Sequence, residues 1–268
     1  MTCIYSSSVY VSDLAVTEVA SAPVLTVTKT LGSNRITDSD QFTVQIVQNS
    51  AAVVNPTTNS TTTGSGATVT PGSGTTGATT LVSGTQYMIK EVAAGTTKLE
   101  QYASTLVCTD ATGAKRALAM NTVFSLQNDD VITCSITNTL ATVSLTLTQL
   151  IISPFPVNLL PPFTFDYSIN NGWPAQPQRL TTSAFNVPVS TAATKLAATN
   201  VATTLSTSLP DARWFVSSFA CADTKAAVTG NPVGNFLRVV GTSITIPAGN
   251  VRPGSALRCT LTMGHKVP

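Results

Sequence analysis

Charge is scarce in this sequence. Asp, Glu, Lys and Arg make up 10% of the 268 residues, against about 25% in ordinary soluble proteins. The surface must therefore be built mostly from Thr, Ser, Asn, Gln and Gly. Net charge is +2, no basic block occurs, and aromatics are only 6%. That excludes a nucleic-acid partner, which needs clustered Lys/Arg and stacking rings. Histidine occurs once, as His265, without a recognisable Ser nucleophile or partner acid, so a Ser-His-Asp hydrolase is excluded. CxxC is absent, and one His with scattered Cys cannot supply the four ligands of a zinc site. GSGATVTPGSG has no strand–helix context and lacks the Lys of a phosphate loop. No enzyme activity, cofactor or metal is expected. Apolar runs stay far short of the roughly 20 residues of a membrane helix, so no membrane span is expected. MTCIYSSSVYV has neither a basic start nor an apolar h-region, so the chain reads as a mature form or one exported without such a leader.

What is abundant is alternation. VLTVTKTL, FTVQIVQ, TQYMIKEV, VITCSITNT, VSLTLTQL, FTFDYSI, RWFVSSF, TSITIPA and LRCTLTM place Val, Ile, Leu, Phe and Thr at period two. Gly, Pro, Asn or Asp bounds each run, the punctuation of short strands. STAATKLAATNVATTL (190–205) is Ala-rich, but its Thr residues and Asn200 leave a strand-loop-strand and a brief helical turn both open. The expected fold is all-β, with two tandem Greek-key β-sandwich domains of the prealbumin/Ig-like kind.

The two domains are copies. VLTVTKTL resembles SLTLTQL, and an FT strand follows each. GTQYMIKEV then answers to VATTLSTSLP, LVCTD to FACAD, and CSITN to CTLTM, in the same order. This divides the chain into an N-terminal extension (1–23), domain 1 (24–142) and domain 2 (143–268), with almost no linker. The extension contains VYVSDLAVTEV, which is either an extra strand on its own domain or an assembly strand for a neighbouring subunit. Residues 55–79 are a low-complexity Thr/Ser/Gly tract, read as a long surface loop. It is either tolerated flexible sequence or a glycosylated or contact loop, with Asn59 in the one sequon, Asn59-Ser60-Thr61.

There are five cysteines. Cys108 and Cys134 match Cys221 and Cys259, so each repeat carries one pair. In an oxidising compartment the economical connectivity is Cys108–Cys134 and Cys221–Cys259. Cys3 is left over, either a free thiol or a bridge to another subunit.

LTVTK (25–29), Y-x-I-x-E (87–91) and a last strand ending in Asn (136–138) resemble prealbumin-like (Cna protein B-type) domains of bacterial surface proteins. The resemblance is firm in the first half and looser in the second. It implies Greek-key sandwiches strung along pili, adhesins and other surface fibres. It also implies an autocatalytic isopeptide bond between Lys29 and Asn138, assisted by Glu91. The chemistry is reasonable, because a Lys in a dry core loses its charge and becomes a nucleophile. A protonated Glu can then polarise the Asn amide. The alternative is a plain Lys29–Glu91 ion pair with Asn138 in a turn. The second half has Gln149, Thr207 and Met263 at these stations, so all three chemical groups are missing together.

The expectation for function is a secreted, cell-surface structural subunit that polymerises with copies of itself. The alternative is an adhesin or carbohydrate-binding ectodomain that takes a glycan or surface ligand, with Trp173 in its turn-rich loop as the candidate contact. Trp214, in a strand, reads as core. Asp38/Asp40 and Asp129/Asp130 are the candidate carboxylate pairs and read as solvated turns.

Overall fold

The computed structural model describes residues 19–49, 51–152, 162–173, 178–235 and 238–266. Among them it is almost all-β, and the α-helix Ala226–Thr229 is a single turn. The first half has β1 (Val24–Leu31), β2 (Asp40–Gln48), β3 (Tyr87–Gly95), β4 (Tyr102–Asp110) and β5 (Val131–Leu140). The second has β6 (Ser144–Ile151), β7 (Phe163–Ile169), β8 (Gln178–Thr182), β9 (Thr203–Thr207), β10 (Trp214–Asp223), β11 (Ser243–Ile246) and β12 (Ala256–His265). Further strands of two or three residues edge the sheets. The Ala-rich stretch resolves as strand, turn, strand: Thr194–Leu196 and then β9.

Each half packs two sheets around one core. In the first, Thr79–Thr80, β1, β5, β4 and Lys115–Arg116 form one sheet, and Ala52–Val53, β2 and β3 form the other. Leu25, Val27, Val44, Ile46, Ile89, Ile132 and Ile136 meet between them. In the second half, β6, β12 and β10 lie in one sheet and β8, β7, β9 and β11 in the other, around Leu145, Leu147, Phe165, Leu205, Ile244 and Leu261. Alternation causes this arrangement. Every second side chain of a strand points to one face, and each apolar side chain so buried contributes about 1.5–3 kcal/mol.

In both halves the first strand runs parallel to the last. β1 pairs with β5 from Val24↔Val131 to Leu31↔Asn138, and β6 with β12 from Ser144↔Ala256 to Ile151↔Met263. A covalent bond between two such strands would tie the beginning of a domain to its end. On the other side of each last strand lies a disulfide. Cys108 faces Cys134 across β4–β5, and Cys221 faces Cys259 across β10–β12.

Residues 1–18, including Cys3 and most of the possible assembly strand, lie outside the described residues. Residues 55–79 differ from the expectation of a loose surface loop. They form a folded strap whose limb 60–62 bonds to β2 and whose limb 74–76 bonds to β1. The small Thr, Ser and Gly residues read as low complexity, yet their backbone groups and hydroxyls do the bonding. Asn59 is exposed on this strap.

Candidate functional site

The inward stations of three strands converge at one end of the first core. On β1 they are Leu25, Val27 and Lys29; on β3, Tyr87, Ile89 and Glu91; on β5, Ile132, Cys134, Ile136 and Asn138. The alternation that buries the apolar residues thus also buries an amine, a carboxylate and an amide.

Lys29 Nζ lies 3.0 Å from Glu91 Oε1, and the two side chains are 0% and 2% exposed. Asn138 Nδ2 donates to the same oxygen at 2.8 Å, and Ser104 Oγ donates to Glu91 Oε2 at 2.8 Å. Lys29 Nζ also donates to Ile136 O at 3.4 Å and stands 5.0 Å from the centre of the Phe42 ring. Asn138 Oδ1 is buried without a hydrogen-bond partner. An unsatisfied buried carbonyl is costly, and here it belongs to the amide a nucleophile would attack.

Burial lowers the pKa of Lys29 to about 8 and outweighs the charge and hydrogen bond of Glu91, which raise it. The folded protein thus gives up this proton near pH 8, the unfolded chain only near 10.5. Between these values the unfolded chain binds more protons, so stability rises with pH across the window. Asn138→Ala keeps the amine and carboxylate but has no amide to attack. Relative to Lys29→Met/Asn138→Ala, its stability should climb by about 1–2 kcal/mol between about pH 8 and pH 9.5, at about 1.4 kcal/mol per pKa unit. Urea unfolding at several pH values checks this, and parallel profiles for the two variants would contradict it.

The second core fills the same place with neutral groups. Thr207 is buried, and Gln149 and Met263 are fully so. Gln149 Nε2 donates to Thr182 Oγ1 at 2.6 Å, and the Tyr167 hydroxyl donates to Gln149 Oε1 and reaches Met263 Sδ at 3.7 Å. Burial raises the pKa of Tyr167, keeping it a neutral donor. This site holds neither nucleophile nor acid.

A family model described as "prealbumin-like fold domain" matches residues 24–140, and a second with that description matches residues 160–264. Each half is a prealbumin-like fold domain. Solved structures similar to this tandem of prealbumin-like domains include the major pilin of Streptococcus pyogenes. It is 12% identical, with a TM-score of 0.30, over 92% of this chain and 99% of that one. A Mobiluncus mulieris adhesin "containing intramolecular disulfide, isopeptide, and ester bond cross-links" is 10% identical, with a TM-score of 0.33, over 88% and 86%. The pilus adhesin SpaC of Lactobacillus rhamnosus GG is 16% identical, with a TM-score of 0.31, over 91% and 31%. No curated protein matches the chain. The assignment rests on the two family matches.

The remaining candidates lie apart from the convergence in the first prealbumin-like domain. Trp214 is in the second core, 5.2 Å and 5.0 Å from the rings of Phe163 and Phe165. Trp173 lies in the short strand Gly172–Trp173. His265 is buried against Trp214, with neither ring nitrogen hydrogen-bonded. Asp40 is not the solvated turn residue its sequence context suggests. It is 3% exposed, and although burial pushes its pKa up, hydrogen bonds from Tyr102, Thr96 and Thr37 hold it below the usual value. Among the described residues no three His, Cys, Asp or Glu cluster as a metal site. Sequence reasoning missed Phe42, Ser104 and Tyr167. Phe42 and Tyr167 sit at ordinary inward strand positions, and Ser104 carries no motif.

Proposed function

We propose that the chain is a structural subunit of an extracellular surface fibre, stiffened by covalent staples, and that it acts on no external substrate. The observation that carries this reading is the buried contact of Lys29, Glu91 and Asn138. An isolated charge pair in a core is no efficient route to stability, and apolar replacements often do as well or better. An amine, an acid and an amide held together in a dry site are instead set up for amide exchange.

The lysine ammonium gives one proton to Glu91, leaving a neutral amine. That amine attacks Asn138 Cγ while the Glu91 acid, now a donor, polarises the amide oxygen after the side-chain amide has turned to present it. The new C–N bond forms, the Cγ–Nδ2 bond breaks, and ammonia leaves. The five hydrogens of the two nitrogens end as one on the new amide, three on ammonia and one on Glu91. The product joins β1 to β5, next to the disulfide that joins β5 to β4. Pulling force entering at one strand would then pass to its neighbours through covalent bonds.

The short connection between the two domains supports a stiff repeat unit. Gln101 Nε2 donates to Thr229 O at 3.1 Å, Ala141 N to Gln101 O at 2.8 Å, and Gly254 N to Ala141 O at 3.3 Å. We place the division at residues 141–143 and assign 1–23 to assembly with the next copy by strand addition. Head-to-tail contacts of that kind give filaments wherever the rotation does not close into a ring. Negative-stain electron microscopy of the purified chain, with and without residues 1–23, tests the assembly. Fibres from the full chain and single particles from the shortened one are expected. Single particles from both would contradict it.

A further inference from the structure

The first sandwich has one side that its strands do not close. β1 and β2 belong to different sheets, and the Lys29 side chain lies between them beside Phe42. The strap spans this side. Its first limb bonds to β2 through Val44 N to Ser60 O and Thr62 N to Phe42 O, while Phe42 N donates to Thr62 Oγ1. Its second limb bonds to β1 through Lys29 N to Gly74 O at 2.8 Å and Thr76 N to Val27 O at 2.9 Å. The limbs bond to each other through Gly74 N to Thr61 O and Thr75 N to Asn59 O. Gly74 sits at φ +64, and a Cβ there would meet Thr62 Cγ2 at 2.7 Å and Lys29 Cβ at 3.1 Å. Only glycine lets the strap lie this close.

Three residues outside the strap tie down its far turn: Asp38 Oδ1 accepts from Gly66 N, Gln41 Nε2 donates to Gly64 O, and Arg35 makes the most bonds. Arg35 is 6% exposed. Its Nη1 donates to Gly66 O at 2.9 Å and Thr68 O at 2.8 Å, its Nε to Asp40 O at 2.7 Å, and its Nη2 to Gln41 Oε1 at 3.2 Å. A buried guanidinium spent on backbone carbonyls positions chain rather than pairing charge. An open cleft runs along β1 and the strap, lined by Lys29, Thr30, Leu31, Ala67, Val69 and Pro71, and it reaches Lys29 without exposing its side chain. The Lys29 side chain on the inner side is 0% exposed.

We propose that residues 60–76 are a water-excluding wall for the cross-linking site, with Arg35 as its anchor and Gly74 as its point of seal. This deepens the cross-link reading and rests on it for its purpose. Arg35 touches none of the reacting atoms, so it is a positioning residue.

The test uses Arg35→Met and, independently, Gly74→Val, each in the full chain and each also combined with Asn138→Ala. In the Asn138→Ala background Lys29 stays a free amine. Its labelling by a water-soluble amine-acylating reagent is followed by peptide mass spectrometry, and hydrogen exchange reports whether residues 60–76 are released. Both substitutions should release the strap and speed Lys29 labelling by about tenfold or more, since each hydrogen bond to a charged guanidinium contributes to closure. β4 and β5 should stay protected. With Asn138 present, the fraction of chains one ammonia lighter should fall. A released strap with unchanged Lys29 labelling and full cross-linking would overturn the proposal. So would a strap that neither substitution releases. If no chain ever loses ammonia but labelling still follows the strap, the cross-link reading fails and the wall stands.

Discussion

Glu91→Ala should give a chain of full mass, with no ammonia lost, whose first domain is destabilised by roughly 5 kcal/mol or more, because it loses both the cross-link and the partner of a buried amine. The Lys29 ammonium would keep only the long contact to Ile136 O and the face of Phe42. It would also have no acceptor for the proton it must lose before it can attack. Asn138 Nδ2 and Ser104 Oγ would lose the oxygens they donate to. Glu91→Gln separates these effects. It keeps the shape and much of the hydrogen bonding but cannot take the proton, so it should cost less stability and still give full mass. Intact mass and chemical unfolding check both variants. An alanine variant that still loses ammonia, or that is nearly as stable as the parent, would contradict the role given to Glu91.

The two domains should respond very differently to losing their disulfides. In the chain-entropy view, closing 26 residues (Cys108–Cys134) or 38 residues (Cys221–Cys259) stabilises a domain by about 3.5 or about 4 kcal/mol. Among its described residues the second domain has no other candidate staple, because Gln149, Thr207 and Met263 occupy the matching stations. The first would keep the Lys29–Asn138 bond, which closes a loop of about 100 residues and contributes about 4.7 kcal/mol in the same view. Cys221→Ala/Cys259→Ala should therefore unfold domain 2 in mild denaturant, while Cys108→Ala/Cys134→Ala should leave domain 1 folded. Limited proteolysis of the reduced parent should leave a resistant fragment covering about residues 24–140. Parallel digestion of both halves would contradict this. Restoring sensitivity in domain 1 by Lys29→Ala would assign the difference to the cross-link.

Much of the fold was legible because period-two patterning specifies a strand and its inward face with the same residues. VLTVTKTL names β1 and also says that Leu25, Val27 and Lys29 share a side. Lys29, Glu91 and Asn138 are singled out by the family resemblance rather than by periodicity, and the structure places all three at inward stations in one buried contact. Duplication helped, because Gln149, Thr207 and Met263 show the same stations holding neutral groups. The strap was not legible. Its order comes from backbone bonds to β1 and β2 and from Arg35, and neither leaves a periodic trace in a Thr/Ser/Gly tract. Asp40 was misjudged because its partner Tyr102 is distant in sequence. Tyr167, which fills the second site, looked like one more aromatic of a strand.

The intact mass of the denatured, fully reduced chain is the measurement to make first. The geometry of Lys29, Glu91 and Asn138 predicts a parent chain lighter than its sequence by one ammonia, with Lys29→Ala at its full sequence mass. A parent chain at full sequence mass would contradict the cross-link. It would leave the disulfides as the staples of the two sandwiches and Lys29–Glu91 as a buried ion pair.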